Sequence, residues 1–132
     1  MNYNQLTSII FFSAYKSDRL YCDNIKAHEH ALDSLKAHNI AFKVVKGCYK
    51  GIEEPSIIVE NTLSNFVVVK GLAIKYGQES ILLRDSKGLA TLYPLDKHNP
   101  IELGYLGQVS KEYALKQDAW TLDTETGIYY AI

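Results

Sequence analysis

A tyrosine and a pair of glutamates flank a glycine-bracketed segment near the middle of the chain. Tyr49 lies between Gly47 and Gly51, and Glu53-Glu54 follow shortly before Ser56. Glycine permits tight turns that other residues avoid, so this segment predicts a turn between two strands. Such a turn presents an aromatic hydroxyl and a carboxylate together at the mouth of a sheet. The pattern is typical of a binding or catalytic site.

Length and charge favour one small domain with a small-molecule partner. The 132 residues are 47% hydrophobic and 22% charged, which suits one buried core, so we expect a single domain over residues 1–132. Fourteen basic residues stand against fifteen acidic ones, and no basic run is present. This balance argues against a nucleic acid or a membrane surface as partner.

The cysteines and the N-terminal region indicate an intracellular protein. Cys22 and Cys48 are too few for a disulfide framework, and with the unclustered histidines they form no zinc motif, so no metal is predicted. The apolar run from Ile9 to Phe12 is far too short to span a membrane or to serve as a secretory signal. We therefore expect a cytoplasmic location.

Hydrophobic periodicity predicts the order β-α-β-β-α-β followed by one more strand. The predicted strands are Ile9 to Phe12, Ala41 to Lys46, Ser56 to Glu60, Ser80 to Leu83 and Leu89 to Tyr93, and the predicted helices are Asp23 to His38 and Asn61 to Tyr76. This order indicates an α+β, ferredoxin-like fold, in which two helices cover one face of an antiparallel sheet. From Pro94 onward, polar and turn residues predict an irregular C-terminal extension that caps the sheet or a neighbouring subunit.

Five short motifs resemble, in type and in order, those of the phage-encoded S-adenosylmethionine lyase family, formerly called S-adenosylmethionine hydrolases. The motifs are Ser13-Ala14-Tyr15-Lys16-Ser17, Asn24 with His28 and His30 before Ser34-Leu35-Lys36-Ala37, Gly47-Cys48-Tyr49-Lys50, Glu53-Glu54-x-Ser56, and Gln78-Glu79 before Ile81-Leu82. The resemblance covers about Ile9 to Tyr93.

The resemblance implies an enzyme that cleaves S-adenosylmethionine to methylthioadenosine and L-homoserine lactone. The substrate's own carboxylate is the nucleophile, so no water is consumed and no cofactor or metal is expected. The resemblance also implies a PII-like homotrimer with the substrate bound between subunits, in the cytoplasm of the host cell. Removal of the methyl donor would counter host restriction and modification.

Candidate site residues follow from the motifs together with this chemistry. We assign Glu54 and Tyr49 to catalysis. The glutamate is expected to bind the substrate ammonium, and the tyrosine hydroxyl to add a further hydrogen bond to the same group. The predicted substrate-binding residues are Ser13, Tyr15, Asn24, Ser56 and Gln78. Glu60 is an alternative to Glu54, because period-two alternation places it on the same face of the strand.

Two functions of other classes stay open on the sequence alone. One is a PII-like module that senses a nucleotide without catalysis, and the other is a protein-binding inhibitor of a host enzyme. The sequence also leaves open which aromatic residue holds the adenine ring, and whether the C-terminal extension contributes to its own site or to a neighbour's.

Overall fold

A computed structural model describes residues 8–132 of the protein. Within this range, nine strands form one sheet in which every pair of neighbours is antiparallel, and three helices accompany it. The elements are β1 (Ile9–Phe12), α1 (Tyr21–Ala37), β2 (Phe42–Tyr49), β3 (Ile52–Glu60), α2 (Leu63–Lys75), β4 (Ser80–Arg84), β5 (Leu89–Pro94), β6 (Ile101–Tyr105), β7 (Gly107–Val109), α3 (Lys111–Leu115), β8 (Ala119–Asp123) and β9 (Ile128–Ala131).

The sheet curls until its two edges nearly meet. The strand order is β6-β5-β4-β1-β3-β2-β8-β9-β7, so the edge strands are β6 and β7. Only Leu106 separates these two strands in the chain, and therefore the edges must lie close together. A Cβ atom on Gly104 of β6 would lie only 3.1 Å from Cγ2 of Ile132, which follows β9. The result is a nearly closed, barrel-like sheet.

The prediction of a ferredoxin-like or PII-like sheet with two helices on one face and an irregular extension is wrong. Residues after Pro94 form four further strands and α3, and these strands extend the sheet at both sides, β6 beside β5 and β8 beside β2. The added strands are three to five residues long, and β8 joins the sheet through β2, which is distant in sequence. Such short segments carry little periodic signal, because non-local pairing rather than local propensity decides their conformation.

Alternation along β1 separates an outer core from an inner one. Ile10 and Phe12 pack outward against α1 and α2, in a cluster that includes Leu35 and Val69. Ile9 and Phe11 project into the curled sheet, together with Val45, Ile58, Ala90, Leu106, Leu82 and Tyr130. The inner face of the sheet is therefore covered by side chains of the same chain.

The two long helices begin and end close to the predicted positions. Thr62 caps α2, since its hydroxyl accepts a hydrogen bond from the backbone N–H of Asn65 (3.2 Å). Gly77 follows α2 in a left-handed conformation (φ +73°), as expected for a helix C-terminus. No helix among the described residues has the length and apolar character needed to cross a membrane.

Candidate active site

The hairpin of β2 and β3 carries the predicted catalytic residues, but its turn is shorter than predicted. Only Lys50 (φ 50°) and Gly51 (φ 81°) form the connection, which is the pattern of a two-residue type I′ turn. Pairing runs without interruption to Tyr49↔Ile52. Gly47 therefore lies within β2, directly opposite Glu54 on β3.

A segment that follows β1 is held beside this hairpin by side-chain hydrogen bonds. The Ser13 hydroxyl donates to the carbonyl of Pro55 (3.0 Å) and accepts from the N–H of Tyr15 (3.0 Å). The Ser56 hydroxyl donates to the carbonyl of Phe12 (3.2 Å). These bonds place Tyr15 next to the hairpin residues.

Gln78 fixes the same segment from the end of α2. Its side-chain amide nitrogen donates to the backbone carbonyl of Tyr15 at 2.7 Å. The amide oxygen is an acceptor that this bond does not use. Gln78 can therefore hold the segment and still accept a hydrogen bond from a ligand.

Together these elements enclose a cleft of about 740 Å³ at one end of the curled sheet. Its size lies within the range of roughly 300–1,000 Å³ that is usual for small-molecule sites. Of the predicted site residues, the cleft is lined by Ser13, Tyr15, Tyr49, Glu54, Ser56 and Gln78. Residues from Ser13 to Gln78, from three separate parts of the chain, thus converge on one surface, although their roles toward a ligand stay predictions.

Asn24 is the predicted binding residue that the cleft does not include. It is 7% exposed, and its amide oxygen accepts from the N–H of Lys16 (2.9 Å) and from Arg19 (3.2 Å). Its amide nitrogen donates to the carbonyl of Lys16 (3.0 Å). Asn24 therefore supports the backbone of the segment after β1 from behind.

Glu54 is the half-buried carboxyl group of the cleft. Burial raises the pKa of Glu54 above its ordinary value. Burial is also the main cause of the raised pKa of Tyr15, to which the charges of Tyr21 and Glu54 add. A phenol and a carboxylate thus lie within electrostatic reach of each other, and the prediction had paired Glu54 with Tyr49 instead.

The other candidate residues on the hairpin are more exposed. Tyr49 lies at the rim with 61% of its surface exposed. Glu53 projects to the other face, where its carboxylate lies 3.5 Å from the Lys46 ammonium. Glu60 is exposed at the far end of β3 and does not line the cleft.

The sequence analysis missed the wall that the C-terminal strands contribute. Leu103, Leu106, Thr121, Tyr130 and Ile132 all line the cleft. Alternation of apolar and polar residues in these short strands indicates that one face is buried. The pairing partners of the strands are needed to show which face that is. The C-terminal extension therefore contributes to the cleft of its own chain.

The charges in the cleft favour a cationic ligand. Among the described lining residues, Asp18, Glu54 and Glu79 carry carboxyl groups, and Lys16 carries an ammonium. Lys16 lies 3.9 Å from Asp18 and is engaged there. An excess of negative charge in a cleft with low-dielectric walls attracts cations.

Comparison with known proteins decides the family. The model of the S-adenosylmethionine lyase family matches residues 10–132. The chain belongs to this family. A search of curated proteins gives no match.

Membership of this family indicates that the protein is a lyase and that its substrate is S-adenosylmethionine. The match to the S-adenosylmethionine lyase family extends well beyond Tyr93, where the resemblance seen in the sequence ends. The wall contributed by β6 to β9 therefore lies within the matched region. Within residues 8–132, no group of three or more His, Cys, Asp or Glu side chains is placed to hold a metal ion.

Glu54→Gln should raise the stability of this lyase family member at neutral pH. Because burial raises the pKa of Glu54, the folded state binds a proton more tightly than the unfolded state, and stability falls as the pH rises through that window. Glutamine removes the charge at nearly constant size. Thermal unfolding should therefore show a higher midpoint than wild type at pH 7, and the difference should shrink as the pH falls toward about 4.

The matched control is Glu53→Gln, one residue away on the opposite face. Its ion pair with Lys46 is solvent-exposed, so its removal should change the midpoint little at either pH. Equal, pH-dependent gains in both variants would contradict a specific effect of burial at Glu54.

Proposed function

We propose that the protein cleaves S-adenosylmethionine to methylthioadenosine and L-homoserine lactone without a metal ion. The observation that carries this proposal is the placement of the half-buried Glu54 carboxyl group in one cleft with Tyr15, Tyr49 and Gln78, in a member of this family. The proposal extends family membership to defined products and to residue roles.

The reaction requires the protein to position the methionine moiety of the substrate more than it requires reactive protein groups. The substrate carboxylate attacks the γ-carbon of its own methionine moiety, the bond from that carbon to sulfur breaks, and the electron pair leaves on sulfur. The sulfonium thereby becomes the neutral thioether of methylthioadenosine. Correct orientation of an intramolecular attack can supply roughly 7–11 kcal/mol of the barrier.

The cleft also favours the reaction electrostatically. The attack merges a negative and a positive charge of the substrate, and charge separation is costly where water is excluded. Leu92, Leu106 and Tyr130 line one wall of the cleft, and a largely apolar wall lowers the local dielectric constant. A Lewis acid is not required for this step, because a sulfonium is already an excellent leaving group.

Glu54 is proposed to hold the substrate ammonium as a carboxylate. The ammonium is a strong donor, and a carboxylate accepts charge-assisted hydrogen bonds from it. Fixing the ammonium fixes the methionine moiety in the folded conformation that the attack needs. The hydroxyls of Tyr15 and Tyr49 and the amide oxygen of Gln78 are the neutral partners within the same cleft.

The products distinguish a lyase from a hydrolase. Purified protein incubated with S-adenosylmethionine in heavy-oxygen water should release methylthioadenosine and a lactone without solvent oxygen, and a chelator should leave the rate unchanged. Mass spectrometry of the first product measures this. Labelled homoserine as the first product would overturn the lyase reaction, whereas saturable binding with intact substrate would indicate a binding protein without catalysis.

Glu54→Gln should lower kcat/KM at least about tenfold, since a charge-assisted hydrogen bond contributes roughly 1.5–3 kcal/mol. Steady-state kinetics with the purified variants measures the loss. Tyr49→Phe should cost less, because the ring stays and only a hydroxyl at the exposed rim is removed.

Glu60→Gln is the control on the same face of β3, outside the cleft. It should keep near wild-type turnover. Loss of activity in Glu60→Gln with normal turnover in Glu54→Gln would place the working acid at the far end of the strand.

A homotrimer with sites shared between subunits is part of the proposal. Its support is the exposed apolar surface near the cleft, where Tyr49 (61%), Ile52 (57%), Leu20 (71%) and Tyr21 (72%) are open to solvent. The inner face of the sheet gives no support for it, because side chains of the same chain cover that face. Light scattering should report three chains, and a monomer at micromolar concentration would contradict shared sites.

The proposed reaction also gives the protein a biological role. Methyltransferases of restriction and modification systems use S-adenosylmethionine as the methyl donor. Its removal would deprive a host of that donor, which fits the anti-restriction role that the motifs imply for a phage-encoded protein.

A further inference from the structure

Gly47 occupies a position where the backbone does not require glycine. Five glycines of the described chain have positive φ angles, but Gly47 is not among them. It lies inside β2 and is paired on both sides, with Glu54 of β3 and with Thr121 of β8. The β2–β3 pairing shows no register shift at this point, so no bulge explains the glycine either.

Packing does not require glycine at this position. A Cβ atom on Gly47 would lie 3.5 Å from the Cβ of Ser56 and 3.6 Å from the carbonyl oxygen of Glu54, which are ordinary van der Waals distances. Glycine inside a strand is destabilising relative to alanine. A glycine that neither backbone nor packing explains often marks a place where a ligand approaches closely.

The missing side chain opens space beside the Glu54 carboxylate. Directly paired residues on one face of a sheet carry their Cβ atoms about 4.5–5.5 Å apart. A larger side chain at position 47 would therefore stand between Glu54 and Thr121, and all three residues line the cleft. With glycine there, this part of the cleft floor is bare backbone.

We propose that Gly47 is a specificity-determining residue, whose missing side chain makes the room in which a cationic group of the substrate lies against Glu54. The inference rests on the proposed function, because it takes the ammonium of S-adenosylmethionine as that group. Beyond the proposed function, the inference states that two features set the fit to the ammonium: the missing side chain of Gly47 and the charge of Glu54.

A size series at position 47 tests this role. Gly47→Ala and Gly47→Val should both fold, and their thermal midpoints should equal or exceed that of wild type, because alanine and valine suit a strand better than glycine does. KM should rise in Gly47→Ala. In Gly47→Val, kcat/KM should fall at least about 100-fold, as expected when a substrate is displaced by about 1 Å.

Gly107→Val is the matched control. Gly107 is also a strand glycine without positive φ, nothing lies within 4 Å of a Cβ placed on it, and it does not line the cleft. This variant should keep wild-type kcat/KM. An equal loss in Gly107→Val would overturn the inference, because the effect would then be general to glycines of this sheet.

The outcomes separate this inference from the proposed function. No turnover by wild type would overturn the proposed function and the inference with it. Turnover by wild type together with unchanged kcat/KM in folded Gly47→Val would overturn the role of Gly47 alone. If Gly47→Val does not fold, Gly47→Ala decides: a raised KM with a midpoint at or above wild type supports the role, and an unchanged KM overturns it.

Discussion

The near-closure of the sheet on itself is the constraint on which the rest of the structure depends. Leu106 alone joins the two edge strands, and both of its backbone groups bond to the hairpin of β4 and β5: its N–H donates to the carbonyl of Gly88 (2.8 Å), and its carbonyl accepts from the Arg84 side chain (3.0 Å). Its side chain is 6% exposed and packs in the inner core. Because a single residue joins the two edge strands, β6 and β7 lie close together, and residues of the C-terminal strands form an apolar wall of the cleft that contains Glu54.

A buried ion pair specifies where the C-terminal strands join. The Lys43 ammonium of β2 lies 2.5 Å from the Asp123 carboxylate of β8, and both side chains are largely buried. Burial opposes both charges, but hydrogen bonds together outweigh it: Lys43 also bonds to Glu125, and Asp123 also accepts from backbone N–H groups. The pKa of Lys43 is therefore raised and that of Asp123 is lowered. Separating such a pair is strongly unfavourable, which disfavours any pairing of β8 that leaves one charge alone.

Local signals predicted the elements up to β5 and failed beyond it. The hairpin and both long helices have periodic apolar residues and turn or cap signals, so their existence could be read from the sequence. Strands β6 to β9 are short, and the position of β8 in the sheet depends on β2, which lies far away in the chain. The sequence places Gly47 in the turn, because a turn glycine and a strand glycine look alike in sequence. Only the type I′ geometry of Lys50 and Gly51 shows that the turn is confined to those two residues.

The predicted site residues divide into those that build the cleft and those that can meet a ligand. The side chains of Ser13, Ser56 and Asn24 donate hydrogen bonds to backbone carbonyl groups and so build the cleft. Glu54 instead presents a half-buried carboxyl group, whose pKa is raised by burial. The raised pKa means that burial makes ionisation of Glu54 less favourable than in water. A bound cation would offset that cost, so cation binding would favour release of the proton from Glu54, and the bare backbone at Gly47 leaves the cation room to approach.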